Sequence, residues 1–127
     1  MPALAKLFIL LGALAGALAV VLGAFGAHAL RARLAPDLLR AFETAVQYHF
    51  WHALGLVAIG IVAIHLPAST ALKWSGWLML AGIVLFSGSL YVLALAGTRW
   101  LGAVTPLGGT AFIAGWLLLA LAAARAG

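Results

Sequence analysis

The sequence predicts an all-α fold, an integral membrane up-down four-helix bundle in a single domain over residues 1–127. Three observations carry that prediction. The chain is 67% hydrophobic and 7% charged, with a mean hydropathy of +1.23, whereas soluble domains are nearer half apolar. Four apolar runs, over residues 7–29, 46–66, 74–96 and 105–124, reach the roughly 20 residues that a spanning helix needs. The stretches between them are short, so successive helices lie antiparallel and both termini share one side of the membrane.

The first run, Leu7 to Ala29, carries no charge. Lys6 and the closing "AHA" imitate a secretory signal, but the apolar stretch exceeds the roughly 7–15 residues of such signals, and a retained helix is expected. Gly12, Gly16, Ala19, Gly23 and Gly26 follow alternating steps of four and three. This period describes one continuous seam of small residues. Small residues let helix backbones approach in lipid, so the seam is expected to pack within the bundle. Homo-oligomerisation through the same glycine-rich face is the alternative use.

In the second run, Pro36 suits a first helical position and no proline lies between it and Pro67. The helix is therefore expected to start at the membrane surface and continue for about 30 residues, roughly 45 Å. Its outer part sets Asp37, Arg40 and Glu43 among Leu38, Leu39 and Phe42, an amphipathic end with Asp37–Arg40 and Arg40–Glu43 pairs at i,i+3 spacing. At about 100° per residue, Thr44, Tyr48, His52 and Gly55 share one stripe, with His49 beside it. Phe50, Leu54, Val57 and Ile61 fall on the other side and are expected to face lipid. Glu43 and Gln47 lie nearer that lipid stripe, where Glu43 would snorkel to the head groups.

The third run, Trp74 to Ala96, holds Ser87, Ser89 and Tyr91 in its second half. The fourth, Thr105 to Ala124, opens with Thr105 and Pro106 and repeats the small-residue pattern at Gly108, Ala111 and Gly115. Tryptophan prefers the head-group level. Trp51 and Trp100 are expected at one interface and Trp74 and Trp77 at the other, with Trp116 near mid-bilayer in a helix contact or with its N–H bonded.

Charge and cysteine content exclude several classes. No cysteine is present, which removes disulfides, iron–sulfur clusters and thiol nucleophiles. The net charge of +5 comes from basic residues scattered singly at the edges of apolar runs, the pattern of loops meeting lipid head groups. Membrane lipids are the partners expected; the basic tract that nucleic acid requires is missing. Lys6, Lys73 and Arg125 on the side of the termini stand against Arg31, Arg33, Arg40 and Arg99 opposite, close to a tie under the positive-inside rule.

Up-down topology gathers the polar side chains at one end. The side holding the first and third loops also holds His28, Thr44, Tyr48, His49, His52, Ser87, Ser89, Tyr91 and Thr105. Ionisable groups inside a membrane helix are costly and suggest function. A neutral histidine bonded to a neighbouring helix is the plainer reading, worth about 1 kcal/mol or less. These nine residues are the candidate ligand-binding pocket, open towards the first and third loops, with His52 as its deep anchor. His28 and His52 are also the candidate ligands for haem or a metal, the cofactor alternative, since bundles hold such groups between helices. His65, 13 residues beyond His52, lies about 20 Å further along the axis and stands apart. No H-E-x-x-H or paired-carboxylate pattern occurs, and no serine sits in a nucleophile elbow, so no catalytic residues are assigned.

The segments "GAFGAHAL", "AVQYHFWHAL", "LFSGSLYVLAL" and "TPLGGTAFIAGW" together resemble the small membrane-protein family called domain of unknown function 423, whose animal members are named transmembrane protein 256. The resemblance covers nearly the whole chain with all four motifs in order. It implies a four-helix integral membrane protein and no established activity. His28, Tyr48, His52, Ser87, Ser89, Tyr91, Thr105 and Pro106 match its polar positions, while His49 stands where glutamine is more usual. It also tips the expectation towards cytoplasmic termini in a bacterial inner (plasma) membrane.

Three functions compete, in this order. A non-enzymatic membrane module would bind a lipid, amphiphile or partner helix in its polar half. A proton or small-solute carrier would relay through His52, Tyr48 and His28, although no mid-span acid or broken helix supports it. A haem or metal protein would use His28 and His52.

Overall fold

The computed structural model describes residues 1–127. It consists of α1 (Ala3–Leu30), α2 (Pro36–His65), α3 (Thr70–Ala96) and α4 (Thr105–Arg125), with a 3-10 turn at Arg99–Ala103 before α4 and no strand. All four helices are long and apolar enough to cross a membrane.

Local chemistry sets the boundaries. Ala35 is extended at φ −58°, ψ 150°, as a residue preceding proline tends to be, and Pro36 opens α2 where its missing N–H costs nothing. Ser69 begins α3 by accepting a hydrogen bond from the Leu72 amide at 3.2 Å. Gly97 ends α3 in the left-handed region at φ 70°, where a side chain would be strained, and donates its N–H to the Leu93 carbonyl at 2.9 Å.

Two helices depart from regular α geometry. α1 finishes in a π-turn at Gly26–Leu30, and α3 contains another at Ile83–Ser87. Each accommodates an extra residue in the turn, a feature that a period of 3.6 does not reveal. The α3 π-turn adjoins the closest approach of α4. A Cβ at Gly108 would collide with the Phe86 backbone, its Cα 2.7 Å away.

Helices pack in chain order: α1 along α2, α2 along α3, α3 along α4. The outer helix α1 buries least and the inner helix α2 most. The seam of small residues on α1 faces α2, as expected. A Cβ at Gly12 would stand 2.7 Å from Val57 Cγ2 and 2.9 Å from the Val57 nitrogen. Gly60 of α2 is its mirror image, 2.7 Å from Ile9 Cγ1 and 2.9 Å from the Ile9 nitrogen. Gly23 meets Val46 and Gly26 meets Phe42 further along. The core beneath these contacts includes Phe8, Leu56, Ile59, Met79 and Phe112.

Two expectations are corrected. Val57 does not lie on the lipid stripe; it packs against Gly12, while Phe50, Leu54 and Ile61 remain exposed. The i,i+3 ion pairs expected along α2 do not form. Asp37 instead accepts a hydrogen bond from Arg99 Nη1 at 2.9 Å, because up-down topology sets the first and third loops side by side. Both side chains are well exposed, 67% and 48%, so this pair adds little to stability. Trp116 leans edge-on against the His52 ring in the middle of α4, and Trp77 packs edge-on against Phe8 at 5.3 Å.

The glycine contacts yield a paired test. Gly12→Ala should lower resistance to SDS-induced unfolding by about 1–3 kcal/mol, since the new methyl meets backbone that cannot move aside. Gly16→Ala, whose Cβ would lie 4.0 Å from Ala53 Cβ, should leave the unfolding midpoint nearly unchanged.

Candidate functional site

The predicted polar residues settle into separate arrangements. His49 Nδ1 and the Tyr91 hydroxyl share a hydrogen bond of 2.8 Å that ties α2 to α3. Ser87, also on α3, donates to the Ala45 carbonyl of α2 at 2.8 Å. The Ser89 hydroxyl meets Thr105 Oγ1 at 2.7 Å, joining α3 to α4. His49, His52, Ser87 and Ser89 are buried, and no buried side-chain nitrogen or oxygen lacks a partner.

His52 lies on another side of α2. Its Nδ1 donates to the Tyr48 carbonyl at 2.6 Å, which leaves Nε2 as the lone-pair nitrogen of the neutral ring. The imidazole stacks on Phe112 of α4, centroids 3.5 Å apart and planes 12° from parallel. Trp116 closes one edge at 5.8 Å, and the Tyr48 ring packs on Phe86 at 4.5 Å. His52 thus belongs to an aromatic stack that fills the junction of α2, α3 and α4. Thr44 is half-buried on the outer turn of the same helix. His28 is exposed at the π-turn of α1 and takes part in none of these hydrogen bonds.

Open space lies elsewhere, in a cavity of about 500 Å³ whose lining includes His65, Pro67 and Arg125, and on the outer flank of α1 and α2. One cavity of about 320 Å³ is lined by Gly23, Gly26, Ala27, Arg31, Phe42, Glu43, Val46 and Gln47. A second, of about 430 Å³, is lined by Ala19, Val20, Gly23, Ala24, Val46, Gln47, Phe50 and Trp51. They share Gly23, Val46 and Gln47, and so form one crevice. Its outer end carries the charges of Arg31 and Glu43; its inner end is apolar. From Glu43 to Trp51 it descends about 12 Å at 1.5 Å per residue.

The sequence motifs explain why space remains here. Gly23 and Gly26 carry no side chain where α1 meets Val46 and Phe42 of α2, and the π-turn that begins at Gly26 ends just before Arg31. None of the nine candidate residues lines this crevice. Arg31 and Gln47 were not among the candidates, and Glu43 was assigned to the head groups, the level at which the crevice opens. The signal that could have found them is the placement of Gly23 and Gly26 opposite Val46 and Phe42, the chain neighbours of Gln47 and Glu43, in an antiparallel pair.

Comparison with known proteins decides the family. The model of the family described as protein of unknown function (DUF423) matches residues 22–109. The chain belongs to this family. It is 50% identical over 120 residues to the UPF0382 membrane protein YwdK of Bacillus subtilis (strain 168), covering 94% of this chain and 98% of that protein. A UPF0382 membrane protein of Staphylococcus saprophyticus is 51% identical over 116 residues, 91% of this chain and 95% of the relative. That of Staphylococcus haemolyticus is 50% identical over 114 residues, 90% and 92% respectively. No solved structure matches the chain. With relatives named as membrane proteins and four helices of spanning length, the chain is a small integral membrane protein.

The hydrogen bond between α2 and α3 gives a measurable coupling. In a double-mutant cycle of Tyr91→Phe and His49→Leu, unfolding in detergent should show an interaction energy of about 0.6 kcal/mol, up to about 1.7. Additive effects would mean that the two side chains do not bond in the folded bundle.

Proposed function

We propose that this protein is a non-enzymatic membrane module that holds an amphiphile in the crevice between α1 and α2. The observation supporting this reading is the grading of that crevice. Arg31, Glu43 and Gln47 line its outer end and Val20, Phe50 and Trp51 its inner end. An amphiphile has the same polarity order along its length. α2 is 30 residues long, about 45 Å, against a hydrocarbon core of about 30 Å. Its first turns therefore stand in the head-group layer, and the charged end of the crevice lies where a polar head would be. The side of the crevice is open, so an acyl chain could enter from the bilayer without crossing the bundle. The interior residues His49, Ser87 and Ser89, by contrast, are already hydrogen-bonded within the bundle.

Filling the crevice tests the reading. Gln47 is exposed and lines both cavities, so Gln47→Trp adds volume there without entering the α1–α2 seam. Native mass spectrometry of protein purified in mild detergent should show lipid-bound species for the unaltered chain and for Gln47→Ala, and their loss in Gln47→Trp. Equal lipid occupancy in all three would refute the crevice as the binding place.

A further inference from the structure

We infer that the crevice selects a zwitterionic phospholipid whose head group carries a primary ammonium beside its phosphate, the ethanolamine type. This rests on the amphiphile reading above and adds the chemistry of the head.

Arg31 and Glu43 line the same 320 Å³ cavity with opposite charges, yet they form no ion pair. The protein's single salt bridge joins Arg99 to Asp37. The outer end of the crevice therefore presents one free cation and one free anion. A purely anionic head group would satisfy Arg31 and meet repulsion from Glu43. A head group carrying both signs answers both, with phosphate on the guanidinium fork and ammonium on the carboxylate.

The nature of the ammonium follows from the remaining lining. Glu43 offers carboxylate oxygens and Gln47 an amide oxygen, acceptors that suit an ammonium bearing N–H donors. A quaternary ammonium has no such donors and is held by cages of aromatic faces. Phe42 is the sole aromatic residue at this end. Below it, Val20, Phe50 and Trp51 would lie along the upper acyl chains, which makes Trp51 a reporter within the site.

The test uses the full chain with Trp74, Trp77, Trp100 and Trp116 changed to Phe, reconstituted in phosphatidylcholine vesicles. A minor fraction of the lipid carries bromine on its acyl chains, with either an ethanolamine or a glycerol head. Quenching of Trp51 should report about a fivefold local enrichment of the ethanolamine lipid over the glycerol lipid, the scale of one charge contact at a membrane surface. Glu43→Gln should abolish that preference, and Arg31→Gln should return the ethanolamine lipid to its bulk share. Both positions are exposed, so neither change removes a core contact. Because Trp77 and Trp116 are packed against the Phe8 and His52 rings, the same comparison is repeated by native mass spectrometry on the chain with all its tryptophans. Equal or greater enrichment of the glycerol lipid would overturn the zwitterion assignment while leaving an amphiphile site in place. Bulk-level quenching by both lipids, with no lipid retained in the spectrometer, would overturn the crevice reading itself.

Discussion

Backbone-to-backbone approach at glycine is the constraint on which the rest of this structure depends. In a bilayer, burying a leucine against a neighbouring helix gains little over burying it in acyl chains, so helices associate where their surfaces fit closely. Gly12 and Gly60 let α1 and α2 settle against each other from both sides, each touching the backbone of the partner helix. Gly108 does the same for α4 against the Phe86 turn of α3. These contacts fix interhelical distance and register together. The crevice lies at the end of that seam of small residues, where Gly23 and Gly26 stand beside Val46 and Phe42.

Much of the fold was legible because lipid simplifies the code. Helix number, antiparallel order, the start of α2 at Pro36 and the inward seam of α1 all follow from run length, proline and glycine spacing. The irregular turns were not legible. The π-turn at Ile83–Ser87 carries no proline and no charge, and it lies where Gly108 of α4 comes against Phe86. Val57 was misplaced for a related reason. A helical wheel assigns faces from composition, and Val57 looks as lipid-compatible as Leu54 until its partner Gly12 is known.

The site was legible in parts. Sequence identified a polar half of the bundle, and the side chains there do meet: His49 with Tyr91, Ser89 with Thr105, His52 with its aromatic neighbours. What composition cannot convey is whether a polar group is already satisfied. A buried serine bonded to a carbonyl and an unpaired arginine beside a void look equally polar in a string of letters. Only the folded structure separates His49, Ser87 and Ser89, which are bonded within the bundle, from Arg31, Glu43 and Gln47, which line the crevice without a bonded partner.

Packing in chain order has a consequence for biogenesis. The glycines that meet backbone at close range, Gly12, Gly60 and Gly108, join α1 to α2 and α3 to α4, each pair separated by one short loop, while Gly76 of α3 meets the Phe8 ring of α1 across the hairpins. Two helical hairpins leaving the insertion machinery in succession would each carry their own complementary surfaces. Their search for partners is local, which favours rapid assembly. The bonds with stricter geometry, His49 to Tyr91 and Ser87 to Ala45, cross between the hairpins. Close fit would thus form the halves early, and directional bonding would then select the docking of the halves in which His49 and Ser87 find their partners.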